Sequence, residues 1–208
     1  MITPVGLVVE GEAGLAAIPV LLKCTRIHLC RPIKFNGQPT ECNEEIFHEF
    51  IKRRIVPSVR AMILKNVANV IVVIDRETRR QCPGAFAHDI QSIISQSLID
   101  QYEYTGHPPV SVVCADRMLE NWIIADPKGI LAHNYIVKDL SRAVGVKADG
   151  KDALTLLKRA YKSGCHYHKS MDAPKLAAKV NTLDPDVRFR SPSLDKLLRE
   201  CGIPPLRA

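Results

Sequence analysis

The chain is short of aromatic residues, of paired cysteines and of long apolar runs, and each shortage excludes something. Aromatics make up 5% of its 208 residues, with a single Trp. Few of them lie near the C-terminal end, so that end lacks the row of stacking side chains with which sequence-tolerant single-strand binders hold bases. The seven cysteines (Cys24, Cys30, Cys42, Cys82, Cys114, Cys165 and Cys201) are odd in number, scattered and never in a CxxC pair. That argues against a disulfide framework and suits a reduced, cytoplasmic chain with inert thiols. The one local cluster with metal-like spacing, CHYH at 165–168, has no second half, and zinc is not expected there. No run of about 18 apolar residues exists, so no membrane-spanning helix is expected. The opening MITPVGLVVEGE lacks a basic region and soon meets acids, unlike a secretory leader.

What is present is an ordinary globular composition, 46% hydrophobic and 25% charged, with an uneven charge distribution under a net +7. Residues 1–126 carry 13 Lys+Arg against 14 Asp+Glu, whereas residues 127–208 carry 16 against 8. A basic C-terminal third suits a polyanionic partner such as nucleic acid, and equally a solvated Lys-rich helical surface.

Apolar patterning divides the first part of the chain into alternating strands and helices. VGLVVEG at 5–11 and NVIVVI at 69–74 are continuous, β-branched runs of buried-strand type. RIHLCRPI at 26–33 reads as a strand, and PVSVVCA at 109–115 as another. Between them, helices are expected over 12–23 (disturbed by Pro19), 44–65 (broken at Pro57), 81–101 and 116–126, with a loop over 35–43. After Pro127 the patterns are helical, and no strand is read before DVRFRS. Strand–helix alternation with apolar-throughout strands specifies an α/β fold: a mostly parallel four-stranded sheet flanked by helices. The expected domain runs over 1–126, with a basic, mainly helical extension over 127–208 packed on it.

In such sheets ligands bind at the carboxyl ends of the strands. Glu10 ends the first strand, Asp75 and Glu77 follow the third, and Asp116 and Glu120 follow the fourth. Parallel strands bring these ends to one rim, where acids repel unless a cation joins them. In extended chain, residues two apart share a face, so Asp75 and Glu77 could address one ion while Arg76 points away. Hard carboxylate ligands suit Mg²⁺ or Mn²⁺. Glu10 could ligate or move a proton, and Gly11 would let a phosphate approach. Glu12 and Glu120 are further ligand candidates, each with a competing reading as an ordinary helix acid. Arg76, Arg79, Arg80 and Arg117 could neutralise phosphate, as could Lys169 at the reacting group, against the reading of solvated bases. Trp122 is expected in the core, and Asp126 at a helix end.

Taken in order, VEGE (9–12), DRE (75–77), LENWIIADP (119–127), YHK (167–169) and RSPS (190–193) resemble a known pattern. It is that of the Toprim-like proteins of the domain-of-unknown-function 4276 family, related to the overcoming-lysogenization-defect nucleases. The resemblance covers most of the chain. It implies a Toprim fold in which a Glu after the first strand and an acid pair after the third bind Mg²⁺ and cut phosphodiesters. It also implies an effector of anti-phage defence working beside an ATPase of the structural-maintenance type, with self-association left open. Two departures stand out. Glu77 replaces the second Asp, and Gly14 stands where Toprim nucleases often carry another acid, leaving Glu12 nearby. The expected activity is that of a metal-dependent endonuclease on DNA or RNA. The alternatives are a non-catalytic nucleic-acid-binding or regulatory subunit of an ATPase complex, and a small-molecule phosphatase or nucleotidyl transferase.

Overall fold

The computed structural model describes residues 4–37 and 43–205. The chain falls into two compact units, each made of separate segments. The first comprises Met1–Leu15 and Ile27–Cys114, the second Ala16–Arg26 and Ala115–Ala208. Residues 115–126 thus cluster with the C-terminal unit.

The first unit is built on a sheet whose strands are β1 (Val5–Glu10), β2 (Ile33–Phe35), β3 (Asn69–Asp75) and β4 (Val110–Ala115). All four are parallel, in the order β2-β1-β3-β4, and the helices are α1 (Gly11–Leu21), α2 (Glu44–Phe50), α3 (Val56–Ile63) and α4 (Pro83–Tyr102). This is the α/β architecture expected from the apolar runs, and it is consistent with a Toprim-like fold. Leu7, Val8, Val9 and Ile71 are wholly inaccessible, as β-branched strands with no solvated face must be. Val8, Val72 and Val112 pack with Ile51, Ile55, Val59, Phe86, Ile90 and Ile94 in one core cluster.

Two local expectations are corrected. The run 26–33 is not one strand. Val5 N–H donates to His28 and Cys30 N–H to Val5, but regular pairing begins only at Ile33. Pro32 stands between, with no N–H to continue a ladder, and the strand lies at the sheet edge, where proline is tolerated. Nor does the helix break at Pro57. Residues Ile51–Ile55 form a π-helical turn joining α2 to α3, in which Val56 N–H reaches back to the carbonyl of Ile51. Pro57 cannot donate to Arg53, four residues back, and its ring crowds that carbonyl. The widened turn lets the helix pass without a break. The loop expected at 35–43 falls partly outside the described residues. Asn43 caps α2 by accepting the N–H of Ile46 at 2.8 Å.

The second unit is helical, with α5 (Leu119–Ile124), α6 (Pro127–Leu131), α7 (Ser141–Val144), α8 (Ala153–Ala160), α9 (Lys169–Ala177), α10 (Pro185–Arg190) and α11 (Pro192–Glu200). Trp122, Leu157, Leu176, Leu194 and Leu197 are fully buried in it. Asp126 starts a helix rather than ending one: its carboxylate accepts the N–H groups of Gly129 and Asn181. Among the described residues no helix is long and apolar enough to cross a membrane.

Gly6 marks the tightest point of β1. A Cβ there would lie 2.5 Å from Met62 Cγ and 3.2 Å from Val67 Cγ2. Overpacking of this kind costs about 1–3 kcal/mol. Gly6→Val is therefore expected to lower the unfolding free energy by about that amount, read from urea denaturation with an unchanged m-value.

Candidate functional site

The carboxyl ends of β1 and β3 are held together by an acid. Glu10 is the last residue of β1 and Asp75 the last of β3, one and two steps beyond the paired Val9 and Val73 respectively. Glu10 Oε2 accepts the backbone N–H of Asp75 at 3.0 Å. The chain leaves β1 toward β2 and returns on the other side of β1 as β3. The two acids therefore stand where the strand order switches direction, the place where open parallel sheets form a ligand crevice. Gly11 follows with φ +63°, and a Cβ there would meet nothing within 4 Å, so the backbone is open to a close-approaching group. Past β2, the Cβ position of Gly37 lies 3.7 Å from Glu10 Oε1. Both acids are half-buried.

The neighbouring candidates are placed differently. β3 ends at Asp75, and Glu77 lies in a turn with φ +53°, so alternation does not carry it to the face of Asp75. Glu77 Oε2 instead lies 4.0 Å from Arg79. Glu12 is exposed and ion-paired with Lys34. Gly14, at the position where Toprim nucleases often carry another acid, is buried within α1. Arg76 donates to the carbonyl of Arg79. The Arg79 guanidinium lies over the rings of Phe47 and Phe86, 4.8 and 5.2 Å from their centroids, as a stacked cation. Arg80 is exposed. Among the described residues no three of His, Cys, Asp and Glu are grouped as a metal site. The Glu10–Asp75 pair still fits Mg²⁺, which is commonly held by one or two carboxylates and completes its shell with water and substrate phosphate.

Glu120, Arg117 and Lys169 belong to the second unit, and Glu120 is neither a rim ligand nor a solvated helix acid. It is wholly buried; Oε1 accepts the Tyr167 hydroxyl at 3.0 Å, and Oε2 lies 3.5 Å from Lys169 Nζ. The motifs at 119–127 and 167–169 thus meet at one buried carboxylate, which a buried tyrosine and a partly exposed lysine approach. The serines at 190–193 have a parallel role. Ser191 and Ser193 hydroxyls donate to Asp149 at 2.6 and 3.0 Å, Ser193 N–H donates to it at 2.9 Å, and the Trp122 indole donates to Ser193 at 2.7 Å. Burial pushes the Asp149 carboxyl above its ordinary range, and these hydrogen bonds work against that rise. Asn121 donates to the carbonyls of Ala148 and Lys151. Arg117 sits at φ +81°. It is among the positive charges that hold the Asp152 carboxyl low, after the stronger effect of hydrogen bonds from Thr155.

Tyr167 entered the sequence reading only as part of YHK, and Asp149 not at all; the only signal for Asp149 was its position in a short polar cluster between helices. The basic triplet Lys52-Arg53-Arg54, held exposed between buried Ile51 and Ile55, has no role in the sequence reading. Comparison of the chain with protein-family models, characterised proteins and solved structures returns no match.

Burial, followed by the charge of Glu120, pushes the Tyr167 hydroxyl well above its ordinary value of 10.0. The folded chain therefore keeps a proton that the unfolded chain releases near pH 10, and stability falls as pH rises above that point. Tyr167→Phe is expected to cost about 1–3 kcal/mol at pH 7 by stripping the buried carboxylate of its donor. It should also make the alkaline fall shallower, read by urea unfolding from pH 7 to 11. A slope identical to wild type would count against this account.

Proposed function

We propose that the protein is a Mg²⁺- or Mn²⁺-dependent nucleic-acid phosphodiester hydrolase of Toprim type, with its site at the ends of β1 and β3. The observation that carries this reading is the Glu10–Asp75 contact at the switch point of a parallel sheet. Two carboxylates on neighbouring strand ends repel unless something positive lies between them. A backbone N–H meets part of that need, and a divalent cation would meet the rest. Asp75 and Glu10 would hold the ion, which polarises a phosphoryl oxygen and lowers the pKa of water. Glu10, anchored through Oε2, has Oε1 as its other oxygen to ligate or to take a proton. Gly11 admits the phosphate to the backbone. Glu77 is a weaker candidate because of its turn geometry, and Glu12, Glu120 and Lys169 are reassigned to ion pairs. The role in anti-phage defence and the ATPase partner rest on the resemblance of the motifs, and the cytoplasmic setting on the scattered, unpaired cysteines.

A second reading is favoured by one observation: Glu12 and Glu120 are each engaged elsewhere, which leaves a single acid pair. In that case the domain binds nucleic acid or a partner without cutting.

The test is cleavage of labelled single- and double-stranded DNA and RNA in Mg²⁺, Mn²⁺ or EDTA, with and without a neighbouring ATPase. Several kcal/mol of metal stabilisation correspond to a loss of at least about 100-fold. Asp75→Asn and Glu10→Gln should each lose that much with unchanged melting, and Glu77→Gln should lose less. Metal-independent activity, or activity surviving Asp75→Asn, would sink the hydrolase reading. No cutting, with binding insensitive to Asp75→Asn, would establish the binding reading.

A further inference from the structure

The first unit contains a cavity of about 410 Å³ lined by Asn36, Gly37, Ile46, Phe50, Arg53 and Arg54, with Glu49 beside them. Gly37 joins it to the candidate site, because its Cβ position lies 3.7 Å from Glu10 Oε1. The cavity therefore abuts the acid pair. Its lining is not what a solvated helix face presents. Phe50 and Ile46 supply apolar surface; the Phe50 ring, set by edge contact with Phe35 at 6.2 Å and stacking with Phe47 at 6.3 Å, is half-buried and firmly placed. Two guanidinium groups stand next to it. Arg53 donates its Nε–H to Glu49, which leaves its terminal N–H groups to other partners. Arg54 forms no ion pair among the described residues. Both arginines come from the π-helical turn, a feature that recurs at functional sites, and here the chain keeps it between two fully buried isoleucines.

An aromatic face, two arginines and an amide side chain around a concavity of this size match a nucleotide. The ring takes the π-face of a base, the guanidinium forks take phosphate, and the Asn36 amide can both donate and accept. A paired base in a duplex has no free face to lay on a ring inside a cavity. We propose that this cavity is a nucleotide subsite of the acid pair. It seats the unpaired base next to the attacked phosphate on Phe50 and holds the adjoining phosphate on Arg54 and Arg53, so that the strand enters single. The assignment deepens the proposed hydrolase site and rests on that reading for its catalytic meaning. The binding itself does not require metal.

The experiment measures anisotropy of fluorescein-labelled 12-nucleotide single strands of DNA and RNA and of the matching blunt duplex, in EDTA, on the full chain. Wild type runs beside Phe50→Leu, which keeps the apolar packing, and beside Arg54→Gln, Arg53→Gln and Asp75→Asn, each checked for unchanged melting. Single strand should bind more tightly than duplex. Phe50→Leu should weaken single-strand binding about tenfold, within the range of a lost base–aromatic stack, and duplex binding far less. Arg54→Gln should weaken it severalfold and lower the slope of log Kd against log salt by about 0.7. Asp75→Asn, which removes a negative charge from the neighbouring acid pair, should bind no more weakly than wild type. Equal affinity for single strand and duplex, or wild-type binding by both Phe50→Leu and Arg54→Gln, overturns the subsite. Mg²⁺-dependent cutting that ignores both substitutions also overturns the subsite while sparing the hydrolase. Binding that follows the expected pattern without any cutting upholds the subsite and overturns the hydrolase.

Discussion

The hydrogen bond from the Asp75 N–H to Glu10 Oε2 is the constraint on which the candidate site depends. It joins two strands at the point where their backbone ladder runs out, using a side chain to continue what the ladder began. A carboxylate so anchored has a fixed orientation, which a solvated glutamate on a strand end would not have. The fixed carboxylate also brings a negative charge to the strand end that Asp75 closes. Such a placement is costly by itself and useful when a cation is present. The structure keeps it where the fold leaves a crevice, with an open glycine next to it.

The helical unit uses charge in the opposite way. Glu120 and Asp149 are buried carboxylates, but each is surrounded by donors: a tyrosine and a lysine for one, two serines for the other. Buried carboxylates are tolerated where donors and counter-charge meet them: Asp149 accepts three hydrogen bonds, whereas Glu120 accepts one at Oε1 and relies at Oε2 on the charge of Lys169. Ser193 illustrates the economy, since it donates to Asp149 and accepts from the only tryptophan.

The strands of the sheet were legible because β1, β3 and β4 are mostly apolar runs rich in valine and isoleucine and largely buried. The acids at their ends were legible by position. Other features were hidden for identifiable reasons. The edge strand β2 is three residues long and follows Pro32, so its alternation misplaced it by several residues. The spacing of Asp75 and Glu77 suggested a shared face, but that inference needs extended chain, and the strand stops at Asp75. Glu120 looked like a rim acid because its partners, Tyr167 and Lys169, lie more than 45 residues away in sequence. The π-turn at Ile51–Ile55 leaves no periodicity of its own to read; Pro57 marked only that something must yield there.

The division of each unit into separate segments bears on how the protein is made. The carbonyl of Leu21, near the end of α1, receives the hydroxyl of Thr182, across 161 positions, and Cys24 lies 2.9 Å from the same threonine. At about 5–20 residues per second on the ribosome, roughly 8–30 s separate the emergence of these partners. During that interval the second half of α1 has left the exit tunnel with its apolar residues and without the helices that bury them. A nascent chain of this kind is a natural client for a ribosome-associated chaperone, and slow translation after residue 115 would prolong its exposure.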